Sequence, residues 1–334
     1  DSLEAILWER YEEIPRYDRY RLDRLEAARH RDHRAALAAA RSGVRLNPTG
    51  PLTLGLAVSL VNNNRPNEAR RHFENWLGDL GPAASWYGIW YNYARVLHIV
   101  GDYREELSVA RRALEDLPAG HLTMTEAEAR ALAALGELDA VRRSVVEMEA
   151  LSTDGLGLGS RLLRLTLELR AHGHRDASLE LADRALSVLA ELPPERRAER
   201  GARDLEARLT YLEERWSAAA ELWATLESDA VGTDLIVAVG WRGCAAARLG
   251  DPATAGAAME RLASLEATVP SSYGLGTLYR ARVAAAVGDR DRAVDLLRQA
   301  LAAGQAFGIW LHYDPHLESL RGYPPYERLV EPEG

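Results

Sequence analysis

The stretch Tyr87…Trp90…Ala94…Leu97…Gly101-Asp102-Tyr103…Ala113-Leu114…Pro118 sets the reading of the whole chain. An apolar run spaced by threes and fours leads into a Gly-Asp pair, a second run follows, and a Pro closes the unit. That spacing places apolar side chains on one face of a helix. The Gly-Asp pair ends one helix in the left-handed region and caps the next. Copies of the pattern begin near Tyr17, Gly50, Tyr87, Leu122, Gly159, Arg200, Ile236 and Gly274, at intervals of about 33 to 41 residues.

The bends between paired runs read Arg31-Asp32-His33, Asn64-Arg65-Pro66, Gly101-Asp102-Tyr103, Gly136-Glu137-Leu138, Gly173-His174-Arg175, Glu214-Arg215-Trp216, Gly250-Asp251-Pro252 and Gly288-Asp289-Arg290. Five open with Gly, and in four an Asp follows that can cap the second helix. Five residues past the start of each bend stands Ala36, Ala69, Ala219, Ala255 or Ala293, with Val141, Ser178 and Glu106 in the other units. Two helices that cross closely need a small side chain there, and Glu106 breaks the rule. No segment alternates with period two, so a sheet is not expected.

These residues resemble the tetratricopeptide repeat (TPR) family over about residues 17–303. The closing segment, from Trp310-Leu311-His312-Tyr313-Asp314-Pro315-His316 to Tyr323-Pro324-Pro325-Tyr326, is similar to the end of TPR regions at the C-terminus of large bacterial serine/threonine kinases and related signalling proteins. The opening Tyr17–Asp23 through Asn47-Pro48 resembles their first unit. No kinase motif lies in the chain itself. The resemblance implies an all-α, right-handed solenoid of about eight helix pairs with a short C-terminal capping helix. Residues 1–16 are a lead-in, 17–303 the solenoid and 304–334 a cap and tail, in which Tyr326, Leu329 and Val330 cover the last apolar face.

The resemblance also implies that the first helix of each unit lines a concave groove. Its groove positions fall on Leu54, Val58, Asn62, Tyr91, Arg95, His98, Arg130, Leu163, Arg170, Arg208, Tyr211, Arg248 and Arg282. Arg recurs there from the third unit onward, so the face is either salt-bridged within the chain or built for an acidic segment or a terminal carboxylate. All 41 basic residues are Arg, whose planar forks suit such groups. The Lys/Asn carboxylate clamp of chaperone-binding TPR domains is absent. All seven Asn lie between Asn47 and Asn92, amid Trp76, Trp86, Tyr87, Trp90, Tyr91 and Tyr93. Amides read peptide backbone and large aromatics anchor interfaces, so the groove of units two and three is the expected hot spot.

The net charge of −9 argues against sequence-independent nucleic-acid binding. Cys244 stands alone, which rules out an internal disulfide and reads as a buried small residue. The longest apolar run, Leu54–Val61, is far too short to span a bilayer. His312-Tyr313-Asp314-Pro315-His316 lacks a fourth ligand and reads as cap, not metal site. Gly155-Leu156-Gly157-Leu158-Gly159-Ser160 reads as a loop between units four and five, and His172-Gly173-His174 as a helix end. No carboxylate pair or nucleophile–His–Asp grouping stands out.

The expectation is a non-catalytic interaction scaffold without cofactor or metal. It would hold a protein or peptide partner in its groove, as a fragment of a larger signalling protein with a cytoplasmic location favoured. A small-molecule sensor is the alternative.

Overall fold

The computed structural model describes residues 6, 8–77, 86–117 and 121–334. Among them every regular element is a helix, and sixteen of the helices form eight consecutive antiparallel pairs. The pairs are α1 (Arg16–Arg29) with α2 (His33–Leu46), α3 (Leu52–Asn62) with α4 (Pro66–Leu77), α5 (Tyr87–Ile99) with α6 (Tyr103–Asp116), and α7 (Leu122–Leu135) with α8 (Leu138–Leu151). The fifth unit joins α9 (Gly155–Ala171) and α10 (Arg175–Ala190); a short α11 (Pro194–Ala198) leads into α12 (Arg200–Leu212) and α13 (Trp216–Ser228). Units seven and eight are α14 (Gly232–Arg248) with α15 (Pro252–Thr268) and α16 (Leu275–Val287) with α17 (Arg290–Ala302). The tail adds α18 (Trp310–Tyr313) and α19 (Pro324–Val330).

The bends carry the register. Gly101, Gly136, Gly173, Gly250 and Gly288 all take positive φ, between 73° and 89°. Arg31, Asn64 and Glu214 occupy the same place in the other three units at φ 55°, 55° and 62°. A left-handed residue is thus demanded by the bend itself, and three units tolerate a side chain there at a cost. The four Asp caps form as their position dictates: Asp32, Asp102, Asp251 and Asp289 accept from the backbone N–H of Ala35, Glu105, Thr254 and Arg292.

Each small residue after a bend is buried to 4 % exposure or less, Ala69, Ala219 and Ala293 completely. That is where the two helices of a unit cross. Glu106 is equally buried, and its partners are described below. The core is a chain of neighbouring clusters, one under units one to three, one under four and five, and one under six to eight. Trp90 and Trp223 are fully buried in two of them, whereas Trp86 and Tyr87 stay exposed and Trp76 is half-buried. Cys244 is fully buried, and burial pushes its thiol up.

Three expectations need correction. Gly155–Ser160 is not a loop but the first turns of α9, because Asp154 caps the backbone N–H groups of Leu156 and Gly157. Those glycines allow close approach: a Cβ on Gly159 would stand 3.1 Å from Leu205 and 3.2 Å from Leu189. The fifth and seventh units accordingly begin at Gly155 and Gly232, four residues before the expected Gly159 and Ile236. Pro118, the expected close of the third unit, lies outside the described residues.

The third correction concerns the groove. The solenoid does not leave an open trough, because its ends meet and its tail enters the space between. His33 Nε2 in the first bend lies 2.9 Å from Gly304 O, just beyond α17. From there the tail runs along the first helices. It begins with Phe307 N donating to Asn62 O at 3.3 Å and ends with Glu333 N donating to Asn64 O at 3.1 Å. Tyr326 is buried, and Leu329 and Val330 pack on the last cluster, so the cap forms as well.

Candidate functional site

The inner wall of this ring is built by the first helices, and the tail decides what each groove position does. Arg170 on α9 binds the tail carboxylate of Glu318, with Nη2 also 3.3 Å from Oε2. Arg282 on α16 donates from Nε to Asp314 Oδ2 at 2.7 Å, and Asp314 is only 3 % exposed. Burial works against the Arg282 charge, but Asp314 outweighs it and holds the guanidinium above its ordinary value. Arg248 donates to Pro315 O at 3.2 Å. The arginine row therefore meets an acidic segment of this same chain.

Amides near the start of the ring do the same for backbone. Asn64 Nδ2 donates to Glu331 O at 2.8 Å and Asn67 Nδ2 to Pro332 O at 3.1 Å. Tyr211 on α12 is buried against His316, whose Nδ1 lies 3.1 Å from the Tyr211 oxygen. Burial pushes His316 well below its usual range, and the charges of Arg282, Arg248, Arg208 and Arg170 act in the same direction.

Deeper in the wall lies a polar cluster that spans two units and the tail. His98 ends α5, Glu168 and His172 sit at the end of α9, and His312 belongs to α18. Glu168 Oε1 stands 2.9 Å from His98 Nε2, 2.8 Å from His172 Nε2 and 3.4 Å from His312 Nε2. Glu106 Oε2 lies 2.6 Å from His98 Nδ1, and its other oxygen accepts from Arg130 Nε at 2.7 Å. Burial alone would lower His98, but the charges of Glu106 and Glu168 push it up to about 9. Burial alone would raise Glu168, yet the His98 charge holds it well below the usual carboxylate range. His312 goes down through burial. Burial, with Glu168 and Glu106 adding to it, pushes the neighbouring Tyr103 hydroxyl up to about 12.

The expected groove residues thus divide. His98, Arg130, Arg170, Tyr211, Arg248 and Arg282 are engaged inside the chain. Leu54, Val58, Asn62, Tyr91 and Arg95 of units two and three are half-buried, with Arg95 stacked 5.8 Å over the Tyr91 ring and 3.3 Å from Asn92 Oδ1. Arg208 pairs with Asp204 at 2.7 Å and lies 5.4 Å over Trp241. A cavity of about 400 Å³ opens between α9, α12, α14, α16 and the tail, lined in part by Leu163, Arg164, Arg208, Trp241, Trp310 and Tyr313.

The structure brings one part of the tail motif into a group that the sequence did not show. Of the tail motif, Asp314 goes to Arg282 and His316 to Tyr211, but His312 joins three residues far away in sequence. Two signals were legible: Glu106 at a position that demands a small residue, and Glu168 with His172 four apart on one helix face.

No family model matches the chain, and no curated protein matches it. Among solved structures it is similar to a tetratricopeptide repeat protein from Parabacteroides merdae, at 15 % identity and TM-score 0.40, covering 92 % of this chain and 99 % of that one. The Cut9–Hcn1 hetero-tetramer of the APC/C matches at 14 % identity and TM-score 0.39, covering 83 % of this chain and 51 % of that one. The Naa15/Naa10 complex bound to HypK-THB matches at 14 % identity and TM-score 0.33, covering 96 % and 64 %. The all-α helix-pair solenoid stands on the chain's own bends, caps and crossings.

Proposed function

We propose that the chain is a non-catalytic scaffold that holds an acidic protein or peptide segment on part of the inner wall beside its own tail. That part is the face of Leu54, Val58, Asn62, Tyr91 and Arg95, continued by Arg164 and Arg208. The carrying observation is Arg95: it is half-buried, stacked on Tyr91, and no carboxylate pairs with it among the described residues. Burial, with Arg130 beside it, lowers Arg95 from its ordinary value. A carboxylate arriving there would relieve that penalty through charge-assisted hydrogen bonds of about 1.5–3 kcal/mol each. The tail gives the precedent, since Arg170 and Arg282 already take carboxylates in this way. The resemblance to kinase-associated TPR regions makes a module of a larger bacterial signalling protein, working in the cytoplasm, the natural setting.

Fluorescence anisotropy with a labelled octaglutamate peptide tests this reading. Binding that weakens at least about tenfold in the Arg95→Ala/Arg208→Ala double variant is expected, from the loss of one or more such bonds. Equal binding in both proteins removes the reading. The cavity of about 400 Å³ favours one alternative, a small anionic ligand, because its size falls within the range of ligand pockets. Saturable stabilisation by a small carboxylate such as citrate, with no peptide binding, would select it.

A further inference from the structure

We propose that His98, Glu168, His172 and His312 form a buried site for one divalent transition-metal ion of the zinc class, and that the ion fastens the C-terminal tail to the inner wall of the ring. This stands independently of the partner reading.

The first ground is convergence. One ligand atom from each residue lies within 4.8 Å of all the others. Glu168 Oε1 is 2.8 to 3.4 Å from three imidazole nitrogens. His172 and His312 bring their Nε2 atoms to 3.0 Å. Two ligands bound to zinc at tetrahedral angles stand about 3.3 Å apart. Four of the six distances already stand near that edge, and the other two, from His98 to His172 and to His312, lie within 4.8 Å, so the His98 ring closes toward them as the tetrahedron forms.

The second ground is how these atoms are left. Glu168 and His98 are each 1 % exposed. Even so, the contacts that Glu168 Oε1 and His98 Nε2 make, at 2.8, 2.9 and 3.4 Å, fall outside good hydrogen-bond geometry, and Glu168 Oε2 has no partner. Atoms at contact distance that miss one another's lone pairs point to a shared centre instead. A cation at that centre satisfies them together, which hydrogen bonds in the cluster do not.

The third ground is the surroundings. Glu106 holds His98 Nδ1 at 2.6 Å and is itself held by Arg130. Once a metal displaces the Nε2 proton, the carboxylate on the far nitrogen holds the tautomer whose Nε2 lone pair faces it. Three imidazoles with one carboxylate suit zinc and its neighbours, whereas calcium and magnesium call for oxygen sets. The four residues fill a tetrahedral shell, so the ion is structural rather than catalytic. They come from α5, α9 and α18, so the ion bridges two units and the tail.

The test uses the full chain, stripped with a chelator and then titrated with cobalt(II) chloride and zinc chloride. One cobalt per chain with tetrahedral d–d absorption, displaced by zinc, is expected. Zinc should also slow proteolytic cleavage of the tail. His312→Ala changes only a half-buried tail residue and should lose at least about tenfold in zinc affinity with its helical circular dichroism intact. Glu168→Gln serves as the second variant. Wild type that takes up no stoichiometric metal overturns the site, whatever the variants do. So does undiminished affinity in both variants. Tail cleavage equally fast with and without zinc overturns the fastening.

Discussion

Glu106 Oε2 and His98 Nδ1 meet at 2.6 Å with both side chains fully buried, and Arg130 closes the group from the other side. A carboxylate thus occupies the helix crossing where seven other units place Ala, Val or Ser. Such a group persists only when its charge is matched, because a lone buried ion is far costlier than the pair.

Glu106→Ala should therefore cost about 3–5 kcal/mol, since it strands Arg130 in the wall without its carboxylate. Urea unfolding at pH 7 measures this directly. A loss below about 1 kcal/mol would mean that Arg130 finds water or another partner and that the network is peripheral to the fold.

The buried His316 predicts a pH dependence. Its ring faces Tyr211 and Trp241, the charges of Arg170, Arg208, Arg248 and Arg282, and the Asp314 carboxylate that holds its backbone N–H. The folded value lies well below the unfolded value of about 6.5, so the unfolded chain binds the extra proton first. The stability this neutral ring contributes is complete above about pH 6.5 and fades as pH falls toward the depressed folded value, at up to about 1.4 kcal/mol per pH unit. Denaturant titrations from pH 7.5 to 5 should show a shallower acid loss in His316→Asn than in wild type. Parallel curves would exclude His316 as the source.

Gly101 tests the register of the bends. Its φ is 78° and a Cβ there would meet nothing within 4 Å, so any loss on substitution reports backbone strain alone. Gly101→Ala should cost about 1–2 kcal/mol. Gly101→Asn should cost less, because Asn enters the left-handed region more readily. Thermal melts that rank Ala above Asn in stability would contradict the assigned conformation.

Much of the architecture was legible because a helix pair is a local object. Bend residues, Asp caps and small crossing residues act within about a dozen positions of one another, and all eight bends fall where the pattern puts them. The misreading of Gly155–Ser160 has a local cause too: a glycine-rich string looks like a loop until Asp154 is recognised as its cap. The groove arginines were legible as a row but not as partners. What Arg170 and Arg282 bind lies 148 and 32 residues away, at Glu318 and Asp314.

The sequence by itself determined the helices, their pairing and the eightfold count, since those follow from short-range periodicity and turn chemistry. Only the tertiary structure decided that the two ends meet, that the tail lines the ring, and that His98, Glu168, His172 and His312 converge. The curvature that closes the ring is the sum of small rotations between successive units. No single stretch of sequence carries that sum.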